Sequence, residues 1–118
     1  MANALLSSEL TIIQPSGYIN ASNAAEFQHQ LTKAVASEQN SVVLVDMNQI
    51  ELLDSAGLMA LVSALSLAQT LKRRFSLCSV APSIRIIFEL TQLDSAFEIF
   101  DSCDAFVTTL ETSMSLAA

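Results

Sequence analysis

A short apolar run and the long apolar segment that follows it constrain this chain more than any other feature. Residues 42–45, Val-Val-Leu-Val, are mostly β-branched and end at Asp46. A run of this length is typical of a strand that is buried on both faces, as in a parallel sheet. From Gly57 to Leu71 the apolar residues recur at the spacing of one helical face. The sequence therefore predicts a central strand, a loop and a helix in that order.

The rest of the chain alternates in the same way between strand and helix patterns. The other predicted strands are residues 10–13, 18–19, 75–80 and 97–100, and Pro15 and Gly17 mark a turn or bulge between the first two. The other predicted helices are about 22–38 and 82–90. A last helix is capped by Asp101 and Ser102 and includes Phe106, Val107 and Leu110. This order is typical of an α/β domain with an at least partly parallel sheet. No linker or repeat divides the 118 residues, so we expect one domain over 1–118 with its core at about 10–110.

Composition and charge narrow the class of protein. Hydrophobic residues make up 52% of the chain and charged residues 14%, which excludes a disordered chain. A net charge of −7 repels nucleic acid and anionic lipid, so neither is an expected partner. The apolar helix is shorter than the roughly 20 residues that span a bilayer, and the N-terminus lacks the pattern of a signal peptide. We therefore expect a cytoplasmic protein.

Residues that could hold a metal or act as catalysts are few. Cys78 and Cys103 show no spacing pattern and are interpreted as two reduced thiols, not as a disulfide or a metal pair. His29 is the only histidine and is expected on a helix surface, so no zinc site can be assembled around it. The basic cluster at residues 72–74 is expected to complement a helix C-terminus, that of the central helix. No metal or cofactor is predicted.

The loop before the central helix carries the candidate functional residue, Ser55. Asp54 and Ser55 both favour the N-cap position of a helix, and a plain cap is the simplest interpretation of these two residues alone. Whichever of them caps, Ser55 lies where free backbone N–H groups and the positive end of the helix dipole converge. These donors would accommodate a phosphate on Ser55, whose charge of about −1.5 to −2 would repel Asp54. Phosphorylation of this hydroxyl would change the local electrostatic field more than it would change the fold.

Four segments, taken in their order along the chain, carry a pattern of residues that can be compared with known families. They are Gly17-Tyr18-Ile19-Asn20 ahead of a helix; Val43-Leu44-Val45-Asp46-Met47 followed by Leu53-Asp54-Ser55-Ala56-Gly57-Leu58; Cys78-Ser79-Val80-Ala81-Pro82 with Ile86 and Phe88; and Leu90-Thr91-Gln92-Leu93-Asp94 followed by Phe97-Glu98-Ile99-Phe100. Together they resemble the STAS domain family (sulphate transporter and anti-sigma factor antagonist). The resemblance implies an α/β, STAS-like single domain, with a mixed four- to five-stranded sheet and helices packed mainly on one side.

The resemblance also implies a function, that of a stand-alone anti-sigma factor antagonist. In such systems the residue matching Ser55 is phosphorylated by a serine kinase that doubles as the anti-sigma factor. The unphosphorylated antagonist binds this kinase, phosphorylation abolishes binding, and a PP2C-type phosphatase restores it. The implied partner-binding residues are Asn20, Asp54, Ala56, Gly57, Leu58 and Met59. Of these, Leu58 fits the core better, and Met59 is the better interface candidate.

The chain departs from the family pattern in ways that bear on these roles. Asn20 stands where the family usually has Asp, which removes a negative charge expected near the phosphorylation site. Ala56 leaves Ser55 as the only hydroxyl in the signature. Gln92 replaces a frequent Gly, and the glycine pair often found after Arg74 is missing, so two turns are expected to be built differently.

Two other classes of function compete with this interpretation. The first is a scaffold or accessory STAS domain of a signalling complex or transporter, without a phosphorylation switch. The second is an enzyme, but a serine nucleophile needs a base, and His29 lies in a different helix from Ser55. The Gly-x-Ser-x-Gly motif and a glycine-rich phosphate loop are also missing. We expect no catalytic residues.

Overall fold

A computed structural model describes residues 10–39 and 41–117 of the chain. The strands are β1 (Leu10–Ile13), β2 (Ser16–Ile19), β3 (Val42–Asp46), β4 (Gln49–Leu53), β5 (Arg74–Cys78) and β6 (Glu98–Phe100). The helices are α1 (Ala24–Ala36), α2 (Ser55–Thr70), α3 (Pro82–Leu90) and α4 (Cys103–Ala117), and Leu93–Ser95 forms a 3₁₀ turn. Within the described residues, no helix is both long and apolar enough to span a membrane.

The central sheet has four strands in the order β1-β3-β5-β6. Its neighbours are all parallel, and β3 lies in the middle, with Val43 opposite Thr11 on one side and Phe75 on the other. Parallel neighbours need a crossover connection, and helices α1 to α3 lie in the connections between these strands. The resemblance implied a mixed sheet; every pairing among the described residues is parallel.

The sheet has a large core on one face and a small core on the other. On β3, Val43 and Val45 belong to the large core together with residues of α1, α2 and α3. Val42 and Leu44 belong to the small core, where Phe106 of α4 covers them. The predictions of a central strand buried on both faces and of helices packed mainly on one side are therefore confirmed.

A second sheet, of two strands, was not predicted. Residues 50–53 were expected to be loop, but β4 pairs in parallel with β2, and Ile19 lies opposite Leu53. The register shifts between Gly17 and Tyr18, which confirms the predicted bulge, and Gly17 has a φ of +78° that favours glycine there. Strand β4 is short and gains its hydrogen bonds from a distant segment, so the local pattern did not reveal it.

The prediction of two separate reduced thiols is wrong. Cys78 and Cys103 are joined as a disulfide, with their Cα atoms 5.5 Å apart. Strand β6 pairs with β5 so that Phe100 lies opposite Cys78. Cys103 follows Phe100 by three residues, so the chain brings it back beside the end of β5. The sequence separation of 25 residues carries no sign of this pairing.

The basic cluster does complement a helix C-terminus, but not that of the expected helix. The guanidinium of Arg73 donates to the carbonyl oxygens of Val35 and Ser37 at the end of α1, the second at 2.7 Å. Arg74 turns to β6 instead, where its Nε lies 2.7 Å from a carboxylate oxygen of Glu98. The basic cluster was expected to complement the C-terminus of α2, but Arg73 complements that of α1 instead, because α1 ends beside the start of β5.

Candidate functional site

Ser55 is the first residue of α2, and Asp54 caps this helix. The backbone of Asp54 is extended, with φ −94° and ψ −173°, and its Oδ1 accepts a hydrogen bond from the Gly57 N–H at 3.0 Å. The Asp54 carbonyl oxygen accepts the first bond of the helix, from the Leu58 N–H at 2.9 Å. The choice that the sequence left open between two capping residues is thus decided. Since Asp54 is the cap, the hydroxyl of Ser55 is not needed for that role.

The side chain of Ser55 is exposed at the helix N-terminus. Among the described residues, no hydrogen-bond partner is found for its hydroxyl, and none for the backbone N–H groups of Ser55 and Ala56. These two N–H groups belong to the first turn, where the partial positive charge of the helix dipole is concentrated. The hydroxyl therefore stands beside donors that suit an anion.

Close packing fixes this helix N-terminus against the two-stranded sheet. Gly57 is buried, and a Cβ atom built on it would lie 2.6 Å from Leu53 Cδ1 and 2.8 Å from Ile19 Cγ2. The Asp54 N–H also donates to the Ile19 carbonyl oxygen at 3.1 Å. Glycine is needed here because the start of α2 lies directly on the ends of β2 and β4. Ser55 is consequently presented on a rigid support.

Asn20 lies at the same edge of the small sheet as Asp54. Each follows the last residue of its strand, and the two strands are parallel with their ends in register. The Asn20 Oδ1 accepts bonds from the Ser22 N–H at 3.0 Å and the Ser22 hydroxyl at 2.6 Å. Asn20 therefore orders the turn that leads into α1, and no hydrogen bond within the described residues joins its side chain to Asp54 or Ser55.

The other predicted partner-binding residues divide into two groups. Met59 is 56% exposed and Ala56 is half-buried. Gly57 and Leu58 are buried, and Leu58 contributes to the large core, as its position in the helix suggested. Contact of any of these residues with a partner stays a prediction, and the packing role of Gly57 and Leu58 is independent of it.

Two exposed apolar residues beside the site were missed by the sequence reasoning. Tyr18 of β2 and Leu52 of β4 are 61% and 50% exposed, and they are register partners on the small sheet. We call them the Tyr18–Leu52 pair. The sequence carried no signal for the pair, because the residues of β4 are in order exposed, buried, exposed, exposed and buried, and strict alternation would have placed Leu52 on the buried side.

Among the described residues, no side chain is hydrogen-bonded to the Ser55 hydroxyl in a way that would activate it as a nucleophile. His29 is exposed on α1, as predicted, and within the described residues no hydrogen bond joins its side chain to Ser55. An unassisted serine hydroxyl is a weak nucleophile. Phosphorylation of this hydroxyl by another protein stays a prediction, as does the expectation that the chain is not an enzyme.

Comparison with known proteins adds a family and a set of similar folds. The family model named STAS domain matches residues 2–105. A protein of Bordetella bronchiseptica, BtrV, provisionally named an anti-sigma factor antagonist, is 26% identical over 98 residues, which are 83% of this chain and 84% of that protein.

Among solved structures, a provisionally named anti-sigma factor antagonist of Thermotoga maritima has a TM-score of 0.80 at 20% identity and covers 86% of this chain and 87% of its own. The Bacillus protein SpoIIAA in its phosphorylated form gives a TM-score of 0.69 at 13% identity, over 87% and 92% of the two chains. The STAS domain of a SulP transporter from Vibrio cholerae gives 0.73 at 9% identity, over 92% and 85%. At these identities the structures share the fold.

Proposed function

The chain belongs to the STAS domain family, and on that premise we propose that it is an anti-sigma factor antagonist that works by partner switching. Unphosphorylated, it binds an anti-sigma factor that is also a serine kinase. The kinase transfers a phosphoryl group to the hydroxyl oxygen of Ser55, and the product is released. A PP2C-type phosphatase hydrolyses the phosphate and restores binding.

The single observation that carries this proposal is the exposed Ser55 hydroxyl at the capped N-terminus of α2. A kinase must reach the oxygen that it modifies, and a side chain within the core could not be reached. Because Asp54 supplies the cap, Ser55 can be modified without loss of the side-chain hydrogen bond that caps the helix. The scaffold around it is rigid, since Gly57 packs directly on Ile19 and Leu53.

Phosphorylation at this position changes charge more than conformation. The new group carries about −1.5 to −2 charges, and the N–H groups of Ser55 and Ala56 and the helix dipole offset part of that charge. The carboxylate of Asp54 lies next in sequence and repels it. The modified helix N-terminus therefore stays folded and becomes strongly anionic.

An anion of this size is enough to release a docked partner. A charge buried at an interface without a counter-charge costs several kcal/mol, and every 1.4 kcal/mol is tenfold in affinity. A partner that packs closely over Ser55 therefore loses orders of magnitude in affinity after the transfer. The apolar contact that such a partner needs is available from Met59, one helical turn from Ser55, and from the Tyr18–Leu52 pair.

The experiment that tests the proposal uses the cognate kinase, which is expected among the proteins encoded beside this one. The chain is incubated with the kinase and ATP, and the phosphate is mapped by mass spectrometry. We expect one phosphate, on Ser55, and none on a Ser55→Ala variant. Phosphate on another residue, or a Ser55→Ala variant labelled as fully as the unchanged chain, would refute the proposal.

A matched control comes from another helix. Ser83 is exposed in the first turn of α3, so Ser83→Ala removes a hydroxyl from a similar position. Phosphorylation and kinase binding of this variant should equal those of the unchanged chain.

A scaffold or accessory domain without a switch is the second candidate, and the likeness in fold to the transporter STAS domain favours it. The two functions differ in their response to Ser55→Asp. A switch predicts that this variant binds its partner at least about 100-fold more weakly than Ser55→Ala, because several kcal/mol are at stake. A scaffold predicts that both variants bind the same partner equally.

A further inference from the structure

A cluster of metal-ligating side chains lies at the ends of β3 and β5 and the start of α4. It consists of Asp46, Cys78 and Cys103, whose carboxylate and sulfur atoms all lie within 4.8 Å of one another. We propose that, when both cysteines are reduced, this cluster binds one Zn²⁺ ion through two thiolates and a carboxylate. The disulfide and the zinc-bound dithiol are then alternative states of one site, which is independent of Ser55.

Three separate elements position the three ligands. The pairing of β3 with β5 sets Asp46 opposite Cys78 at the carboxyl ends of the two strands. The pairing of β5 with β6 sets Phe100 opposite Cys78, and the Ser102 hydroxyl then accepts a bond from the Ala105 N–H at 3.0 Å, which starts α4 at Cys103. The ligands are therefore brought together by backbone hydrogen bonds that do not depend on the sulfur–sulfur bond.

The carboxylate of Asp46 is held in place from both sides. Its Oδ2 accepts a hydrogen bond from Gln14 Nε2 at 3.0 Å, and its Oδ1 accepts one from the Asn48 N–H at 3.0 Å. Ligating carboxylates are typically oriented by outer-shell hydrogen bonds of this kind. Each oxygen retains a second lone pair for a metal.

The ligand set selects the ion by its chemistry. Thiolates are soft ligands that favour Zn²⁺ over Mg²⁺, Ca²⁺ or Mn²⁺. Tetrahedral zinc has Zn–S distances of about 2.3 Å and Zn–O distances of about 2.0–2.2 Å, with a water as fourth ligand where the protein supplies three. Such bond lengths place the ligand atoms about 3.3–3.8 Å apart. After reduction the two sulfur atoms must separate from bonding distance to this spacing, whereas the carboxylate oxygen of Asp46 already lies within 4.8 Å of both.

The two states are linked by a balanced exchange. A dithiol reductant gives two electrons and two protons to the disulfide, becomes a disulfide itself, and leaves Cys78 and Cys103 as thiols. Zn²⁺ then replaces the two thiol protons, which are released to solvent. Cys103 is the first residue of α4, so its sulfur is held at the start of that helix in both states.

Either state ties α4 to the sheet. Phe106 is the fully buried residue by which α4 covers Val42 and Leu44, and Cys103 lies one turn before it. A zinc ion or a disulfide at Cys103 therefore anchors the first turn of the helix that covers this face. Because zinc binds the folded chain, it should raise the melting temperature of the reduced protein.

The test starts from the whole chain reduced with a phosphine, which does not supply thiols. Co²⁺ is added as a spectroscopic substitute for zinc. We expect a thiolate-to-metal absorption band that saturates at one ion per chain and that Zn²⁺ removes at the same stoichiometry. The oxidised chain should show no such band. A reduced chain without the band, or with the same band after oxidation, would overturn the proposal.

Variants separate the site from adventitious binding. Asp46→Asn and Cys103→Ser should each weaken Zn²⁺ binding by at least about tenfold, the smallest loss typical of disturbing a metal site. Asp101→Asn changes an exposed carboxylate near Cys103 that is not part of the cluster, and it should bind zinc as the unchanged chain does. Equal binding by Asp46→Asn and Asp101→Asn would exclude the site.

A measurement on the unchanged chain covers the case in which a variant fails to fold. Iodoacetamide alkylates free thiols, and Zn²⁺ should slow the alkylation of Cys103 in the reduced chain at least tenfold, as mass spectrometry of the Cys103 peptide reports. Alkylation at the same rate with and without Zn²⁺ would also overturn the proposal.

Discussion

Substitution of Gly57 by alanine tests how the N-terminus of α2 is held. The added Cβ would lie 2.6 Å from Leu53 Cδ1, 2.8 Å from Ile19 Cγ2 and 3.2 Å from the Ile19 carbonyl oxygen. Leu53 and Ile19 are only 2% and 5% exposed, so neighbouring core residues limit their movement. Ile19 is β-branched, and its Cγ2 cannot turn away without a change of the stiff χ1 angle.

Two effects of opposite sign decide how Gly57→Ala changes the free energy of unfolding. Alanine has the higher helix propensity, which favours Gly57→Ala by at most about 1 kcal/mol. Overpacking in a close-packed core costs about 1–3 kcal/mol. Two contacts fall below 3.0 Å and involve buried side chains, so we place the overpacking cost in the upper half of that range. The expected net result is a loss of about 1–2 kcal/mol, a five- to thirtyfold rise in the unfolded fraction.

Urea unfolding at 25 °C, followed by circular dichroism, measures this difference. The control is Ser66→Ala, which changes an exposed residue in the same helix and should shift stability by no more than about 0.5 kcal/mol. If Gly57→Ala were as stable as the unchanged chain or more so, helix propensity would outweigh the contacts. The close approach of α2 to the small sheet would then not be what requires glycine.

Two further predictions concern the helix cap and the acid limb of stability. Asp54→Ala should lower the free energy of unfolding, measured in urea, by about 1 kcal/mol. Asp54→Asn can still accept the hydrogen bond from the Gly57 N–H and should lose at most half as much. Equal losses in the two variants would mean that the cap bond contributes nothing. The hydrogen bond from Arg74 and, after it, that from Ser76 lower the pKa of Glu98 despite the opposing effect of burial. Because the folded pKa is below the unfolded one, this stabilisation is present above the ordinary glutamate pKa of about 4.3 and is lost as the pH falls through the lowered value. Glu98 is partly exposed, so its contribution to stability is less than about 1 kcal/mol. The urea midpoint should fall less steeply between about pH 5 and 3 in Glu98→Gln than in the unchanged chain. An equal fall in both proteins would contradict this assignment.

Local patterns were enough to predict the main elements and the position of Ser55. Residues 42–45 form the central strand, and the apolar spacing after Gly57 gives α2, although this helix begins two residues earlier, at Ser55. The inward direction of Leu58 and the exposure of Met59 followed from the helical period. These features depend on neighbours within one or two helical turns, and such neighbours are visible in the sequence.

Features that join distant segments could not be predicted in the same way. Strand β4 exists because β2, some thirty residues earlier, supplies its hydrogen bonds. Gly57 is required by Ile19, which no local pattern indicates. Arg73 binds the end of α1 for the same reason, since only the folded chain brings that end within reach.

The sequence by itself determined the order of strands and helices, the buried central strand and the serine at the start of an apolar helix, because each of these is set by hydrophobic period and capping over a few residues. Only the tertiary structure decided that residues 49–53 form a strand of a separate sheet, and that Asp46, Cys78 and Cys103 meet at one edge. The physical reason is that parallel pairing joins segments across a helical crossover. Contacts of that kind are fixed by how the whole core packs, which no short stretch of the chain specifies.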